Sequence, residues 1–461
     1  MRKTLYPFLA LLILTALILA ACQPTATDAP PPPAPPPTDV PEPDVVEEEP
    51  TDVPVVEGPT VRHCADGLEG ETIYFYSQAG LTGPLAGILG TSFVNALNDS
   101  IAAINATGGI CGATVDLILT DTQYDAEQEL ATYQIHRKDT PPPVAIATYG
   151  SAASIALSPL VIEDKVTNFA AGLNAQAFYV PRNGYTVGVA PIYSDQLAGF
   201  IDFLVENWAD IKPEGAGDEI VVGVVGWEGP FGAGATTTEA LAHAASAGVT
   251  VLELETYAVS AEADLVSPLQ SLALQGANVI YNQALGFGTA QMIGTLRALE
   301  MWDTVVVGGN VWSMNTDVLN VLGAGAVAMN GMYGVFPWRW WTDTDVEGVQ
   351  MATEAFNAGG YPESERGVSY LTSYSGTFAW KDIIVHAIDL FGYENLNGDT
   401  FFQAFQDLGT VSALGVYEYD VRGESRSPHR SQIRQAQAGA DGVQFVVIED
   451  FFELPDTRPP E

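Results

Sequence analysis

Cations are scarce in this chain of 461 residues: 17 Lys and Arg stand against 57 Asp and Glu, a formal charge of −40. A polyanion of this kind is repelled by nucleic acid and by anionic lipid headgroups, so both are poor partners. Histidine is scarcer still. His63, His136, His243, His386 and His429 are scattered without ligand-like spacing, and no metal site is expected. The chain has no Gly-x-Ser-x-Gly elbow and no P-loop lysine motif, so neither an enzyme nor a cofactor is expected. A Gly-x-Gly-x-x-Ala spacing at Gly323, Gly325 and Ala328 comes late in the chain. No acidic residue follows it at a helpful distance, so it is a poor dinucleotide fingerprint. Cysteine is limited to Cys22, Cys64 and Cys111.

Cys22 ends a leader. Arg2 and Lys3 supply a positive start, residues 5–18 an apolar run, and small residues precede the cysteine, as in a secretory signal peptide. The Leu19-Ala20-Ala21-Cys22 ending resembles the bacterial lipobox, which implies that the Cys22 thiol carries diacylglycerol and becomes the mature N-terminus. Each buried CH₂ of such chains, palmitate for example, contributes roughly 0.8 kcal/mol. The expected location is the extracytoplasmic face of the cell membrane, with membrane contact through the lipid alone. Residues 23–64 are expected to be a disordered tether. From Gln23 to Pro59 there are thirteen prolines, nine acidic residues and no Lys or Arg. At about 3.1 Å per residue where Pro-rich, it would reach on the order of 100 Å. In an oxidising compartment the remaining cysteines, Cys64 ahead of the first strand and Cys111 in a Gly-rich turn, are expected to pair.

Beyond the tether, strand-like runs alternate with helical periodicity. Strands are expected at 72–77, 115–121 and 144–149, with helices at 90–105, 126–136 and 154–163. The rhythm restarts after residues 185–220. Strands are expected at 220–226, 249–255, 278–282 and 304–308, and helices at 233–247, 264–275 and 289–299. This pattern predicts an α/β fold of two Rossmann-like lobes with parallel sheets. Ligands in such folds sit beyond the carboxyl ends of the strands.

The loops there carry a family likeness. Leu81-Thr-Gly-Pro, Asn105-Ala-Thr-Gly-Gly-Ile and Tyr149-Gly-Ser-Ala-Ala-Ser, followed in order by Ser194-Asp-Gln-Leu-Ala-Gly and Pro230-Phe-Gly-Ala-Gly, resemble the type I periplasmic binding proteins. The branch resembled is the branched-chain amino acid (Leu/Ile/Val-binding) receptor of ABC transporters. The resemblance implies two lobes joined by crossing hinge strands, at 65–192 plus 334–412 and at 193–333 plus 413–461. It also implies a monomer that closes on a small molecule and presents it to an ABC permease. The alternative is a ligand-binding sensor that reports to a membrane signalling protein.

Gly150 and Ser151 follow a strand and open a helix, an arrangement that binds anions. The resemblance implies that this turn takes a carboxylate, helped by the turn Ala170-Ala171-Gly172, with Tyr149 beside it. It places Tyr193 and Asn310 where amino acid binders of the family carry acidic groups for the ligand's ammonium. Neither is charged. A neutral amide, a carboxylate or an aromatic solute therefore rivals an α-amino acid. Asp195 and Glu228 are close enough in sequence to substitute. Phe231, Trp227 and Trp312 lie in cleft-side loops, and Trp338, Trp340 and Trp341 cluster near the expected third crossing, as cleft wall or as lobe packing.

Overall fold

The computed structural model describes residues 61–460; the leader, Cys22 and the tether up to residue 60 lie outside them. Residues 61–64, expected in the tether, are folded instead. Arg62 Nε donates to Glu394 Oε1 at 2.7 Å, and Cys64 is bonded to Cys111, closing a loop of 47 residues at the base of the first sheet.

That sheet is built from β1 (Thr72–Ala79), α1 (Gly90–Ala106), β2 (Thr114–Asp121), α2 (Ala126–His136), β3 (Ala145–Thr148), α3 (Ser151–Asp164), β4 (Thr167–Ala170), α4 (Ala175–Tyr179) and β5 (Thr186–Gly188). Its strands are parallel in the order β2-β1-β3-β4-β5. Two of the quoted motifs prove to be its braces. Asp121, ending β2, accepts the N–H groups of Leu81 (3.0 Å) and Thr82 (3.2 Å) and so holds the loop after β1. Asn105 exchanges both side-chain hydrogen bonds with the backbone of Val115, at 2.8 and 2.9 Å, tying the end of α1 to β2.

The second sheet follows α5 (Tyr193–Ile211). It comprises β6 (Val221–Trp227), α6 (Pro230–Ala233), α7 (Thr238–Ser246), β7 (Thr250–Val251), β8 (Glu255–Tyr257), α8 (Val266–Leu274), β9 (Val279–Gln283), α9 (Gly286–Ala298), β10 (Val306–Gly309) and α10 (Thr316–Leu322). Its order is β10-β9-β6-β7, all parallel, with β8 also on β6. The single helix expected at 233–247 is broken, because the Thr237 hydroxyl accepts the Ala240 N–H and starts α7 afresh. The strand expected at 249–255 is two short ones that meet different stretches of β6.

After β11 (Tyr333–Phe336), α11 (Glu347–Gly359), α12 (Val368–Phe391) and α13 (Gly398–Leu408) return to the first half. The Tyr370 hydroxyl on α12 donates to Asp99 of α1 at 2.6 Å. The hairpin β12 (Thr410–Ala413) and β13 (Tyr417–Asp420) packs there too, with Tyr419 at 4.9 Å from the Phe169 ring of β4. The crossing expected at 412/413 would fall inside β12, and contact with this half continues past Asp420, where the Arg426 carbonyl accepts the Gly188 N–H at 2.7 Å and its Nε donates to the Gly184 carbonyl at 2.7 Å. β14 (Arg430–Gly439) and β15 (Gly442–Glu453) then complete an antiparallel sheet with β11. Among the described residues no helix is long and apolar enough to cross a membrane.

Candidate functional site

Loops at the carboxyl ends of both parallel sheets meet. From the first sheet, Gly150 precedes α3 at φ 106°, a conformation that favours glycine. It has no side chain to cap α3, so the first-turn N–H groups have no such partner. Ser151 is the first helical residue, and its hydroxyl is buried without a hydrogen bond. The Ser154 hydroxyl, by contrast, donates to the Gly150 carbonyl at 2.9 Å and is an ordinary helix residue. The turn from Ala170 through Ala171 to Gly172 lies against this one. Ala171 N–H donates to the Thr148 carbonyl at 3.0 Å, and a Cβ on Gly172 would fall on the backbone of Gly150 and Ser151. Tyr124, a residue the sequence reading missed, packs its ring against Gly150 from a left-handed backbone (φ 61°). Burial pushes its phenol up to about 12. Its position in the loop after β2 was the available signal.

From the second half, Tyr193 is fully buried as the first residue of α5. Its hydroxyl accepts a 3.0 Å hydrogen bond from Trp312 Nε1, and its ring meets Phe231 edge-on at 5.1 Å. Burial drives its pKa upward. Asn310, after β10, accepts the Trp312 N–H at 2.8 Å with Oδ1, while its buried Nδ2 has no partner. The halves touch where Asn174 Nδ2 donates to the Pro230 carbonyl at 2.6 Å and where the Tyr149 and Trp312 rings lie 6.0 Å apart. Between Tyr149 and Gly150 on one side and Trp227 and Phe231 on the other is a cavity of about 110 Å³ open to the centre of a water molecule.

The structure reassigns the acidic candidates. Asp195 serves the fold: its buried carboxylate accepts from Thr457 N (2.8 Å), Thr457 Oγ1 (2.7 Å) and His429 Nδ1 (3.2 Å). Glu228 is exposed at the mouth. Two carboxyls are buried beside the cleft-side loops: Glu129 of α2, which accepts the Thr122 hydroxyl at 3.1 Å, and Asp317, 7 % exposed on the first turn of α10, with neither oxygen hydrogen-bonded. A Cβ on Gly286 would collide with it. Burial outweighs the nearby N–H groups of Asp317 and Val318 and pushes the carboxyl up to about 7. Between an ordinary Asp value of about 3.9 and about 7, the folded chain then holds a proton that the unfolded chain releases, so stability falls as pH rises through that window. Asp317→Asn is therefore expected to raise the melting temperature more at pH 8 than at pH 5; equal shifts at both would contradict the burial account.

The tryptophan cluster is packing. Trp338 lies 5.8 Å from Phe336 and 5.3 Å from Trp312, Trp340 sits against Phe445 at 5.5 Å, and Trp341 against Phe356 at 5.6 Å. Gly323 and Gly325 belong to a 3-10 turn after α10, not to a strand-to-helix phosphate loop. No cluster of potential metal ligands occurs among the described residues.

Residues 79–443 match the family model of the periplasmic binding proteins, and the chain belongs to that family. Comparison with curated protein sequences finds no match. Among solved structures it is similar to a branched-chain amino acid ABC transporter protein from Thermus thermophilus with bound valine. That pair shares 17 % identity with a TM-score of 0.71, over 84 % of this chain and 97 % of the other. It is similar as well to a fatty acid ABC transporter substrate-binding protein from Thermomonospora curvata (19 %, TM-score 0.69, 85 % and 95 %). A third is an ABC transporter solute-binding protein from Rhodopseudomonas palustris in complex with 3,4-dihydroxybenzoic acid (15 %, TM-score 0.67, 84 % and 98 %).

Proposed function

We propose that the chain is an extracytoplasmic solute-binding receptor of an ABC importer, anchored through Cys22, without catalytic activity, that closes as a monomer on a small carboxylate. In this reading residues 65–192 with 334–427 form one lobe and 193–333 with 428–461 the other. The observation that carries it is the set of buried polar groups left without partners in cleft-side loops from both halves: the Ser151 hydroxyl and the Asn310 Nδ2. An unsatisfied buried donor or acceptor costs about 1–3 kcal/mol, which a solute touching both halves recovers on binding. The uncapped start of α3 favours an anion there. The solutes in the three neighbours' names all carry a carboxyl group, which agrees with that choice.

A thermal-shift screen against amino acids, amides, short carboxylates and aromatic acids tests the reading, because a ligand of the native state raises the melting temperature. Carboxylates are expected to shift it, and Ser151→Ala to weaken the best of them by about tenfold, the loss of one hydrogen bond to a charged group. A hit whose affinity survives both Ser151→Ala and Tyr193→Ala unchanged would place the site elsewhere. If branched-chain amino acids alone gave shifts, the neutral Tyr193 and Asn310 would have misled, and Asp317 becomes the group to substitute next.

A further inference from the structure

A second cavity runs inward from the cleft, through the first half of the molecule. Where it faces the cleft it is lined by Tyr149, Ala171, Val189 and Trp312, residues that follow β3, β4, β5 and β10. From there it passes between the face of the first sheet that carries Phe75 and Phe169 and the flank of α12 that carries Ser373 and Trp380. Ala147 gives independent testimony. It lies on β3, the central strand, with parallel neighbours on both sides, yet it is only partly buried. The cavity at its face accounts for that exposure. The space open to the centre of a water molecule is about 80 Å³, against roughly 10–15 Å³ for a single water. No charged side chain lines it.

We infer that this cavity is the subsite for the uncharged tail, acyl or aryl, of the solute. The inference rests on the receptor reading above and narrows its solute class to carboxylates with an extended apolar body. The physical argument is direct. The walls are largely apolar and aromatic and take up apolar groups, while the Gln78 amide of β1, buried with neither Nε2 nor Oε1 hydrogen-bonded, also lines the space and accommodates one polar group on the tail. The lining atoms lack dispersion partners that a hydrocarbon group would provide. The cleft-facing end adjoins the Gly150–Ser151 turn through Tyr149, so a carboxylate at the start of α3 has an apolar channel beside it. Trp312, from the second half, lines the same end and donates to Tyr193. Closure of the halves would then cover the tail.

The test is a titration of the full chain with acetate, butanoate, hexanoate, octanoate and phenylacetate, followed by calorimetry or by tryptophan fluorescence. Affinity is expected to rise about fourfold per added CH₂, the equivalent of 0.8 kcal/mol, until the cavity is full. Ala147→Leu and Ser373→Trp, which fill it from opposite walls, are each expected to flatten that dependence while leaving acetate unaffected. Ser151→Ala is expected to weaken every member by the same factor. A chain-length dependence that persists in both filling variants, or none in the unsubstituted chain, overturns the tail subsite. A normal dependence with no effect of Ser151→Ala leaves the subsite standing and removes the carboxylate turn instead.

Discussion

Replacing Gly172 with alanine is expected to cost about 3 kcal/mol of stability and to weaken solute binding by about a hundredfold. The turn from Ala170 to Gly172 rests on the turn from Tyr149 to Ser151 backbone to backbone. An added Cβ meets the Gly150 carbonyl and the Ser151 nitrogen rather than the end of a movable side chain. One turn must shift, and insertion of a methyl into such a contact costs about 1–3 kcal/mol or more. The displaced groups are the N–H donors of α3, and losing a single hydrogen bond to a charged group costs about 1.5–3 kcal/mol. Denaturant unfolding gives the first figure and titration of the best carboxylate the second. A variant with unaltered affinity would show that these turns do not hold the solute.

Asp195→Ala should destabilise the chain by about 3–5 kcal/mol, the usual cost of removing one partner from a buried charged network. Its carboxylate joins three separate parts of the chain: the first turn of α5, His429 just ahead of β14, and Thr457 in the terminal segment. The same pair makes stability depend on pH. Burial lowers the pKa of His429, but the hydrogen bond to Asp195 with the charges of Asp195 and Asp456 outweighs it, so the net shift is upward. A histidine with a raised folded pKa contributes stability that is fully present below its unfolded value of about 6.5 and is lost as pH rises through the folded value. Urea midpoints of the unsubstituted chain should therefore fall from pH 6 toward alkaline pH, and Asp195→Asn should flatten that part of the profile. An unchanged slope in Asp195→Asn would mean that another group titrates.

The parallel sheets were legible in the sequence because fully buried strands read as uninterrupted apolar runs, as at 220–226, and because glycine and proline punctuate them. The Gly150–Ser151 turn was legible for a local reason: a strand end, a glycine and a helix start are all short-range signals. Features set by tertiary packing were not. Asp317 falls in a seven-residue helix after an irregular loop, where no periodicity shows that its side chain is buried. Tyr124 depends on a left-handed backbone at a non-glycine residue. The β12–β13 hairpin has the composition of any exposed strand pair, and only tertiary contacts, with Phe169 and with the Thr372 carbonyl of α12, assign it to the first half. Asp195 looked like a substitute acid for a ligand because its partner His429 is 234 residues away.

The central claim is that one solute is held by loops from both parallel sheets. Amide hydrogen exchange with and without the best carboxylate from the screen tests it most directly. The account predicts ligand-dependent protection in residues 149–154 and 170–173 of the first half and, in the same sample, in residues 227–231 and 310–313 of the second. Protection confined to one half, or lying away from these four loops, would contradict it.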